Sequence, residues 1–447
     1  MDRLEEFIRE HEITEVECLV PDMSGIARGK IIPAEKLLRI LRERGMPIPE
    51  SVFIQTVTGD YPEGELIRPS MGDVYMVPDN NTVRLVPWYQ EPTAQIICDA
   101  YYGDDTPVPF SSRYLLRKIL AEYEKRGWRP VVAPELEFYL VAVNTDPDIP
   151  LQPPIGRSGR QESGRQAYGI DAVNEFDPIF EDVYDYCEEQ NIDIDTLSHE
   201  AGAAQIEVNF NHGDPLEVAD QAFLFKRTAR EVAIRHGVYA TFMSLPMQNE
   251  PGSAMHIHQS IVDVNTGKNL FSNEDGSDTD LFRHYIGGLQ RYLPQALPLF
   301  APNINSFRRF GNRLAESPMN VEWGQDNRTA GLRVPVAKPE GRRVENRLPG
   351  ADGNPYLSIT ATLACGLLGL LEGIDPSEAV KGSAYKKGSS LPVHMTDALK
   401  KFKNCKPLSE LLGEQFTRTL VGIKETELKA YNAVISSWER ENLLLNV

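Results

Sequence analysis

Four short segments place ligating or charged side chains at every second residue, a spacing that gathers them on one face of a strand. Neighbouring carboxylates repel one another unless a cation lies between them, so the acidic positions could bind a divalent metal ion. Oxygen ligands combined with imidazole favour Mg²⁺ or Mn²⁺ over zinc or copper. The side chains are Glu135 and Glu137 in 130–143, Gln205, Glu207 and Asn209 in 204–210, His256 and His258 in 254–261, and Arg343, Glu345 and Arg347 in 343–348.

Any one of these segments taken alone is typical of a strand with one solvated face. The opposite faces are apolar, as in Leu136, Phe138 and Leu140. Four such segments in one chain predict a single curved sheet whose concave face is polar and binds metal ions.

A second group of candidate residues is cationic and lies between positions 308 and 347. Guanidinium groups suit phosphate and carboxylate oxygens, although a single arginine more often forms a surface ion pair. Carboxylates for metal together with arginines for phosphate indicate phosphoryl transfer from a nucleotide. The motif GxxxxGK[ST] does not occur, which excludes the P-loop class. The arginines are Arg308, Arg309, Arg328, Arg333, Arg343 and Arg347.

The elements that position these residues fall into two predicted domains. Residues 1–105 are predicted to form a small strand-rich domain that opens with a helix over 2–10 and a hairpin around Asp22–Gly25. Residues 106–447 are predicted to alternate strands and helices as the catalytic domain, beginning with a helix over 113–126. The glycine-rich stretch 156–169 predicts a mobile loop. The helical segment 425–447 ends in an apolar tail that docks either on this chain or on a partner.

Composition narrows the class of protein. The chain has 447 residues with 46 basic and 65 acidic side chains, a net charge of −19, which argues against a nucleic-acid partner. Five widely spaced cysteines without a CxxC pair favour a reducing cytoplasm. The charged N-terminus is unlike a signal peptide. The apolar stretch 357–371 predicts a buried helix, so no membrane partner is expected.

Six motifs occur together in an order and spacing shared with a known family: APELEFYL, SHEAGAAQIEV, GSAMHIHQS, NSFRRF, NRTAGLRVP and RRVENRLPGADGNPYL. On these residues the chain resembles the glutamine synthetase family from about residue 15 to the C-terminus. The resemblance implies an α+β fold, with an N-terminal β-grasp domain and a catalytic domain whose curved antiparallel sheet is flanked by helices. It also implies a homo-oligomer, a dodecamer of two stacked hexameric rings into which the C-terminal tail inserts.

The resemblance implies roles for individual residues. Glu137, Glu200 and Glu207 match the ligands of one metal ion, and Glu135, His256 and Glu345 match those of a second. His258, Arg333 and Arg343 match residues on the ATP side. The residues that match those binding substrate or the transferring phosphoryl group are Gly252, Arg309, Arg328, Arg347, Tyr168 and Glu316.

The implied chemistry has two steps. The γ-carboxylate of glutamate attacks the γ-phosphoryl group of ATP, giving γ-glutamyl phosphate and ADP. A neutral amine then attacks this acyl phosphate, with two or more Mg²⁺ or Mn²⁺ ions per active site neutralising the developing charge. Glu316, Arg328 and Arg309 are the expected catalytic residues, and Glu316 would shield the intermediate from water.

The chain departs from glutamine synthetases proper in its N-terminal region. They carry a DGSS motif whose aspartate helps to deprotonate ammonium, whereas this chain has PESVFIQTVTG at 49–59. It resembles instead the γ-glutamylpolyamine and γ-glutamylputrescine synthetase branch, in which a larger amine replaces ammonia. Asp60, Glu63 and Glu65 could attract the distal ammonium of a diamine, or Val52, Phe53 and Ile54 could line an apolar monoamine pocket. A true glutamine synthetase and an inactive homologue remain the alternatives.

Overall fold

A computed structural model describes residues 2–43, 45–62, 71–311, 317, 319–387 and 391–447. Strands of residues 15–101 form a mixed six-stranded sheet in the order β2-β1-β6-β4-β3, with β5 pairing β6. β1 and β6 are parallel and the other pairs are antiparallel. The elements are α1 (Asp2–Glu10), β1 (Glu15–Pro21), β2 (Ala27–Pro33), α2 (Ala34–Glu43), β3 (Met46–Pro49), β4 (Asp73–Pro78), β5 (Arg84–Leu85) and β6 (Thr93–Tyr101).

The rest of the chain surrounds an eight-stranded sheet in the order β12-β13-β14-β11-β7-β9-β8, with β10 also pairing β7. Its strands are β7 (Trp128–Ala142), β8 (Ile194–His199), β9 (Gln205–Phe210), β10 (Val238–Thr241), β11 (Met255–Asp263), β12 (Trp323–Gln325), β13 (Leu332–Val334) and β14 (Val344–Asn346). Only β12 and β13 pair in parallel among these described strands. The predicted α+β fold with a largely antiparallel second sheet is therefore confirmed.

Eleven helices accompany the second sheet in the described residues. They are α3 (Ser112–Glu124), α4 (Ile170–Asn174), α5 (Asp177–Glu189), α6 (Pro215–Arg235), α7 (Asp280–Ala296), α8 (Ile304–Gly311), α9 (Pro355–Glu372), α10 (Met395–Lys403), α11 (Lys406–Leu412), α12 (Glu414–Asn432) and α13 (Ser437–Leu443). α9 is long and apolar enough to cross a membrane, but it packs against α3, α6 and α7, and 83% of its apolar window is buried. It is a core helix, as the sequence predicts for 357–371.

Buried polar contacts join the N-terminal region to the rest of the chain, and Arg113 and Asn354 make two sets of them. Arg113 of α3 is 1% exposed and pairs with Asp79 and Asp99 of the first region at 2.8 Å each, and with Asp220 of α6 at 2.8 Å. Such a buried cation needs several acceptors because its desolvation is costly. Asn354 caps α9 and donates to the carbonyl of Asp22 at 2.9 Å. Gly25 lies against Asn354 with φ +77, and a side chain there would be strained.

Several sequence predictions are refined by the structure. The C-terminal segment is not one helix, because it breaks between α12 and α13. Phe53 and Ile54 are each 1% exposed and belong to the hydrophobic core, so they cannot line an amine pocket as proposed. Glu63 and Glu65 lie outside the described residues. The boundary at 105/106 falls between β6 and α3 and stays a prediction.

Candidate active site

One cavity of about 780 Å³ collects nearly every described residue that the sequence analysis selected. The lining residues among them are Glu135, Glu137, Tyr168, Glu200, Glu207, Gly252, His256, His258, Arg309, Arg328, Arg333, Arg343 and Arg347. Glu345 is fully buried beneath the cavity wall and contacts several of them. Glu316 lies outside the described residues. Arg308 is turned away and donates to the hydroxyl of Tyr431 at 2.9 Å, so it does not join the cationic group.

The register of the sheet explains this convergence. Glu135 of β7 pairs directly with His256 of β11, and Glu137 pairs with Glu207 of β9. On the other side, Glu345 of β14 pairs with His258 and with Arg333 of β13. Side chains of directly opposed residues lie close together. The period-two pattern of the sequence thus becomes one continuous polar face across five neighbouring strands.

Glu135 is the centre of a carboxylate–imidazole cluster. Its oxygens lie 2.8 Å from Nε2 of His258 and 3.3 Å from Nδ1 of His256. Nδ1 of His256 is also 3.6 Å from a carboxylate oxygen of Glu345. Burial opposes ionisation of Glu135, but its hydrogen bonds with the two histidines outweigh burial and hold the pKa of Glu135 below its ordinary value.

The pKa values of Glu137 and Glu207 shift in the opposite direction to that of Glu135. Burial, followed by the charge of Glu200, raises the pKa of Glu137 to about 8. Burial, followed by the charge of Glu137, raises the pKa of Glu207 to about 9. The structure therefore brings Glu137, Glu200 and Glu207 close enough to repel one another, which is the condition that a bound cation relieves.

The donor set fits divalent metal ions. Two triplets of ligand atoms each lie within 4.8 Å of one another, namely Glu135, Glu207 and His256, and Glu135, His258 and Glu345. Carboxylate oxygens with one imidazole each suit Mg²⁺ or Mn²⁺. Glu135 belongs to both triplets, whereas the resemblance divides the six expected ligands into two separate sets. Among the described residues, Glu137 and Glu200 belong to neither triplet.

Arginines border this acidic face. Arg333 and Arg347 donate to the two oxygens of Glu345 at 2.8 and 2.6 Å, and Arg343 donates to Nδ1 of His258 at 3.2 Å. Arg309 of α8 is 1% exposed and donates to the carbonyls of Leu348 and Pro349. Arg328 is exposed at the cavity rim.

Two buried guanidinium groups that line the cavity are incompletely satisfied. Within the described part of the chain, the Nε atoms of Arg309 and Arg347 have no hydrogen-bond partner. A buried unsatisfied donor is costly unless a ligand supplies the acceptor. Because both side chains line the cavity, their guanidinium groups suit an anionic substrate.

The loop after β10 completes one wall. A Cβ on Gly252 would lie 2.5 Å from Cγ of Arg309, so this position tolerates no side chain. Gln205 donates to Glu137 at 3.2 Å and to the carbonyl of Gly252 at 3.1 Å. Gln205 lies on the predicted polar face, but its alternation alone predicts no role for it. Asp326 was not predicted, and it accepts from Arg333 at 2.6 Å.

Comparisons with known proteins agree with this geometry. The family model described as "Glutamine synthetase, catalytic domain" matches residues 109–443. The γ-glutamylputrescine synthetase PuuA of Escherichia coli (strain K12) is 34% identical over 441 residues, 96% of this chain and 92% of the relative. A glutamate–isopropylamine ligase of a Pseudomonas species is 30% identical, covering 98% of this chain and 96% of the relative. A glutamine synthetase of Methanosarcina mazei is also 30% identical over the same shares.

Solved structures show the same fold over the whole chain. The ligand-free structure of GmaS has a TM-score of 0.85 and 25% identity and covers 100% of both chains. A GmaS/ADP complex has the same TM-score and identity and covers 99% of this chain and 100% of that one. The chain belongs to the glutamine synthetase family and is a carbon–nitrogen ligase.

Proposed function

We propose that this enzyme joins the γ-carboxylate of glutamate to an organic amine at the expense of ATP, through γ-glutamyl phosphate. The observation that carries the proposal is the single cavity in which acidic clusters for metal adjoin buried arginines with unsatisfied donors. The two amine ligases named above share 34% and 30% identity with the chain over nearly its full length. The similarity to these two amine ligases favours an organic amine over ammonia as the substrate.

The carboxylates and histidines of the polar face would hold the metal ions. We assign Glu137, Glu200 and Glu207 to one ion and Glu135, His256 and Glu345 to the other, with His258 beside the second. Bound Mg²⁺ or Mn²⁺ supplies neutralisation of charge on phosphoryl and carboxylate oxygens. The assignment draws support from the raised pKa values of Glu137 and Glu207 and from the short Glu135–histidine distances.

The arginines would hold the two anionic substrates. Arg309 and Arg347 line the cavity, where their guanidinium charge would hold glutamate or the transferring phosphoryl group. Arg333 and Arg343 lie near Glu345 and His258, where they would bind the phosphates of ATP. A second cavity of about 350 Å³ is lined by His258, Arg343 and Ser260 and continues from this side, and we place the nucleoside there.

The reaction would proceed in the order that these positions suggest. The γ-carboxylate of glutamate attacks the γ-phosphorus of ATP, the bond to the β–γ bridging oxygen breaks, and ADP leaves. The neutral amine then attacks the γ-carbonyl carbon, phosphate leaves, and the amine nitrogen loses one proton. Tyr168 and Glu200 line the cavity where the amine would bind. Glu316 would shield the intermediate and accept that proton, a role assigned from the resemblance alone.

A true glutamine synthetase is the second candidate, because the Methanosarcina mazei enzyme matches as fully as the isopropylamine ligase. An assembly of two stacked hexameric rings is part of the proposal and would bury the exposed C-terminal tail.

The proposal also includes a cytoplasmic location, because the five cysteines are free and buried, as is usual for proteins of a reducing compartment.

The test is ADP release from ATP with glutamate and Mg²⁺ across a panel of amines: ammonium, putrescine, spermidine, isopropylamine and ethanolamine. The proposal predicts strong turnover with at least one organic amine and little with ammonium. Ammonium as the best substrate would establish the second candidate. If none of the amines supported ADP release, the chain would be an inactive homologue and the proposal would be wrong.

A further inference from the structure

The glycine-rich loop 156–169 is tied to the active site by one buried carboxylate. We propose that Glu162, acting through His199, positions the wall of the cavity that meets the amine, formed by Tyr168 and Glu200. This inference rests on the proposed function, because the amine gives the wall its role. Glu162 itself does not line the cavity, so it is a positioning residue.

Glu162 connects the loop to the turn between β8 and β9. Its Oε2 accepts from Nε2 of His199 at 3.0 Å and from the backbone N–H of Ala204 at 2.6 Å. His199 is fully buried, and its Nδ1 lies 2.6 Å from the carbonyl oxygen of Glu200. Both ring nitrogens therefore face oxygens that only accept, so both donate. His199 bridges the loop carboxylate and the backbone of Glu200.

The same contacts hold two strained backbone positions. Tyr168 and Ala204 have φ values of 59° and 56°, a region that residues with a side chain rarely adopt. The N–H of Tyr168 donates to the carbonyl of His199 at 2.8 Å, and the N–H of Ala204 donates to Glu162. Strained positions persist where the surrounding contacts determine them. The Glu162–His199 pair supplies those contacts on both sides of the wall.

The position of the pair predicts a selective effect. Tyr168 lies on the loop and Glu200 directly follows β8, at one edge of the sheet. Arg333 lies on β13 and Arg343 directly precedes β14, toward the other edge. Loss of the Glu162 carboxylate should move the amine wall and leave the nucleotide side in place. A merely structural role would weaken binding of all substrates together.

The matched control is Glu175, which holds the base of the same loop. Its carboxylate accepts from the N–H of Ser158 at 3.0 Å, and it does not line the cavity. Glu175→Gln loosens the loop without touching Tyr168, His199 or Ala204. Comparison of Glu162→Gln with Glu175→Gln therefore separates positioning of the wall from general loop stability.

The experiment measures KM and kcat for the amine and for ATP in both variants. We expect Glu162→Gln to raise KM for the amine by about tenfold or more, as loss of supporting hydrogen bonds does at other sites. KM for ATP should stay within about twofold, and Glu175→Gln should match wild type. In the double variant Glu162→Gln with His199→Gln, KM for the amine should rise no further than in the more impaired of the two single variants, because both residues act through the same contacts.

Amide hydrogen exchange gives a second readout that is independent of activity. Glu162→Gln should speed exchange in peptides covering 166–170 and 199–207, whereas peptides covering β13 and β14 should not change. An unchanged amine KM together with unchanged exchange would overturn the inference and leave the proposed function intact. A parallel rise in KM for amine and ATP would also overturn it. If the wild type ligates no amine, the proposed function falls, and exchange alone decides whether Glu162 holds the wall.

Discussion

Glu137 and Glu207 face each other across β7 and β9 in directly opposed positions, the first carboxylate buried and the second partly buried. Burial, followed by the charge of Glu200, raises the pKa of Glu137 to about 8, and burial, followed by the charge of Glu137, raises the pKa of Glu207 to about 9. At pH 7 the metal-free pair therefore keeps its protons, and a metal ion that binds there must displace them.

This relationship predicts proton release on metal binding. Titration of the metal-free enzyme with Mg²⁺ at pH 7, in two buffers of different ionisation enthalpy, should show roughly one or more protons released per active site. Release should fall toward zero above pH 9, because both groups are then already ionised. Glu207→Gln should lower the number released. Equal heats in the two buffers would contradict the assigned site.

The raised pKa values also predict the pH dependence of the metal-free fold. The ordinary glutamate pKa is 4.5, so these carboxyls contribute stability below that value and lose it as pH rises through about 8 and 9. The metal-free thermal midpoint should fall between pH 7 and 9, and Mg²⁺ should restore it. If the thermal midpoint of the metal-free enzyme rose between pH 7 and 9, ionisation of Glu137 and Glu207 would not control its stability in this interval.

Glu135→Ala should abolish formation of the acyl phosphate. Glu135 is an assigned ligand of the second metal ion and belongs to both ligand triplets, so its loss weakens metal binding on the nucleotide side. We expect ADP formation with glutamate to fall by more than about 100-fold, since even supporting residues around metals cost 10–100-fold. Arg129→Ala, at an exposed position of the same strand, is the control. ATP turnover at the wild-type rate in Glu135→Ala would refute the assignment.

Arg309→Lys should weaken glutamate binding selectively. Lysine cannot donate to the carbonyls of Leu348 and Pro349 and also present a planar guanidinium group to the cavity. KM for glutamate should rise about tenfold or more, the value of one charge-assisted hydrogen bond. Arg308→Lys is a matched control, because the adjacent side chain contacts Tyr431 instead. Equal effects of the two substitutions would count against the role of Arg309.

The faces of the strands could be predicted from the sequence, but their neighbours could not. Alternation is local, so it placed Glu135 with Glu137 and His256 with His258 correctly. The order of strands depends on pairing between distant segments, and only the structure shows β7 between β11 and β9. That order is why Glu135 touches both histidines.

Other errors have equally local causes. An apolar run such as 52–54 fits either a ligand pocket or a core, and the 3₁₀ turn over Glu50–Ile54 directs Phe53 and Ile54 into the core. Arg308 and Arg309 are adjacent on α8, where successive side chains point about 100° apart, so one enters the cavity and the other does not. Glu162 gave no signal, because its partner His199 lies 37 positions away.

Removal of the C-terminal tail tests the proposed assembly. Trp438, Leu444 and Leu445 are 64%, 75% and 91% exposed, an arrangement that favours burial against another copy. Truncation after residue 436 should lower the number of subunits per assembly, so the mass of the assembly measured by light scattering should fall by far more than the mass of the residues removed. A full-length chain that is already monomeric would contradict the oligomer.

The γ-glutamyl phosphate route is tested most directly by following oxygen from glutamate to phosphate. The enzyme is supplied with ATP, Mg²⁺, the best organic amine and glutamate labelled with ¹⁸O in its γ-carboxylate, and products are analysed by mass spectrometry. We expect γ-glutamyl amide and one ¹⁸O atom in each phosphate released, because the acyl phosphate carries that oxygen to phosphorus. Amide formed with unlabelled phosphate would contradict the γ-glutamyl phosphate route.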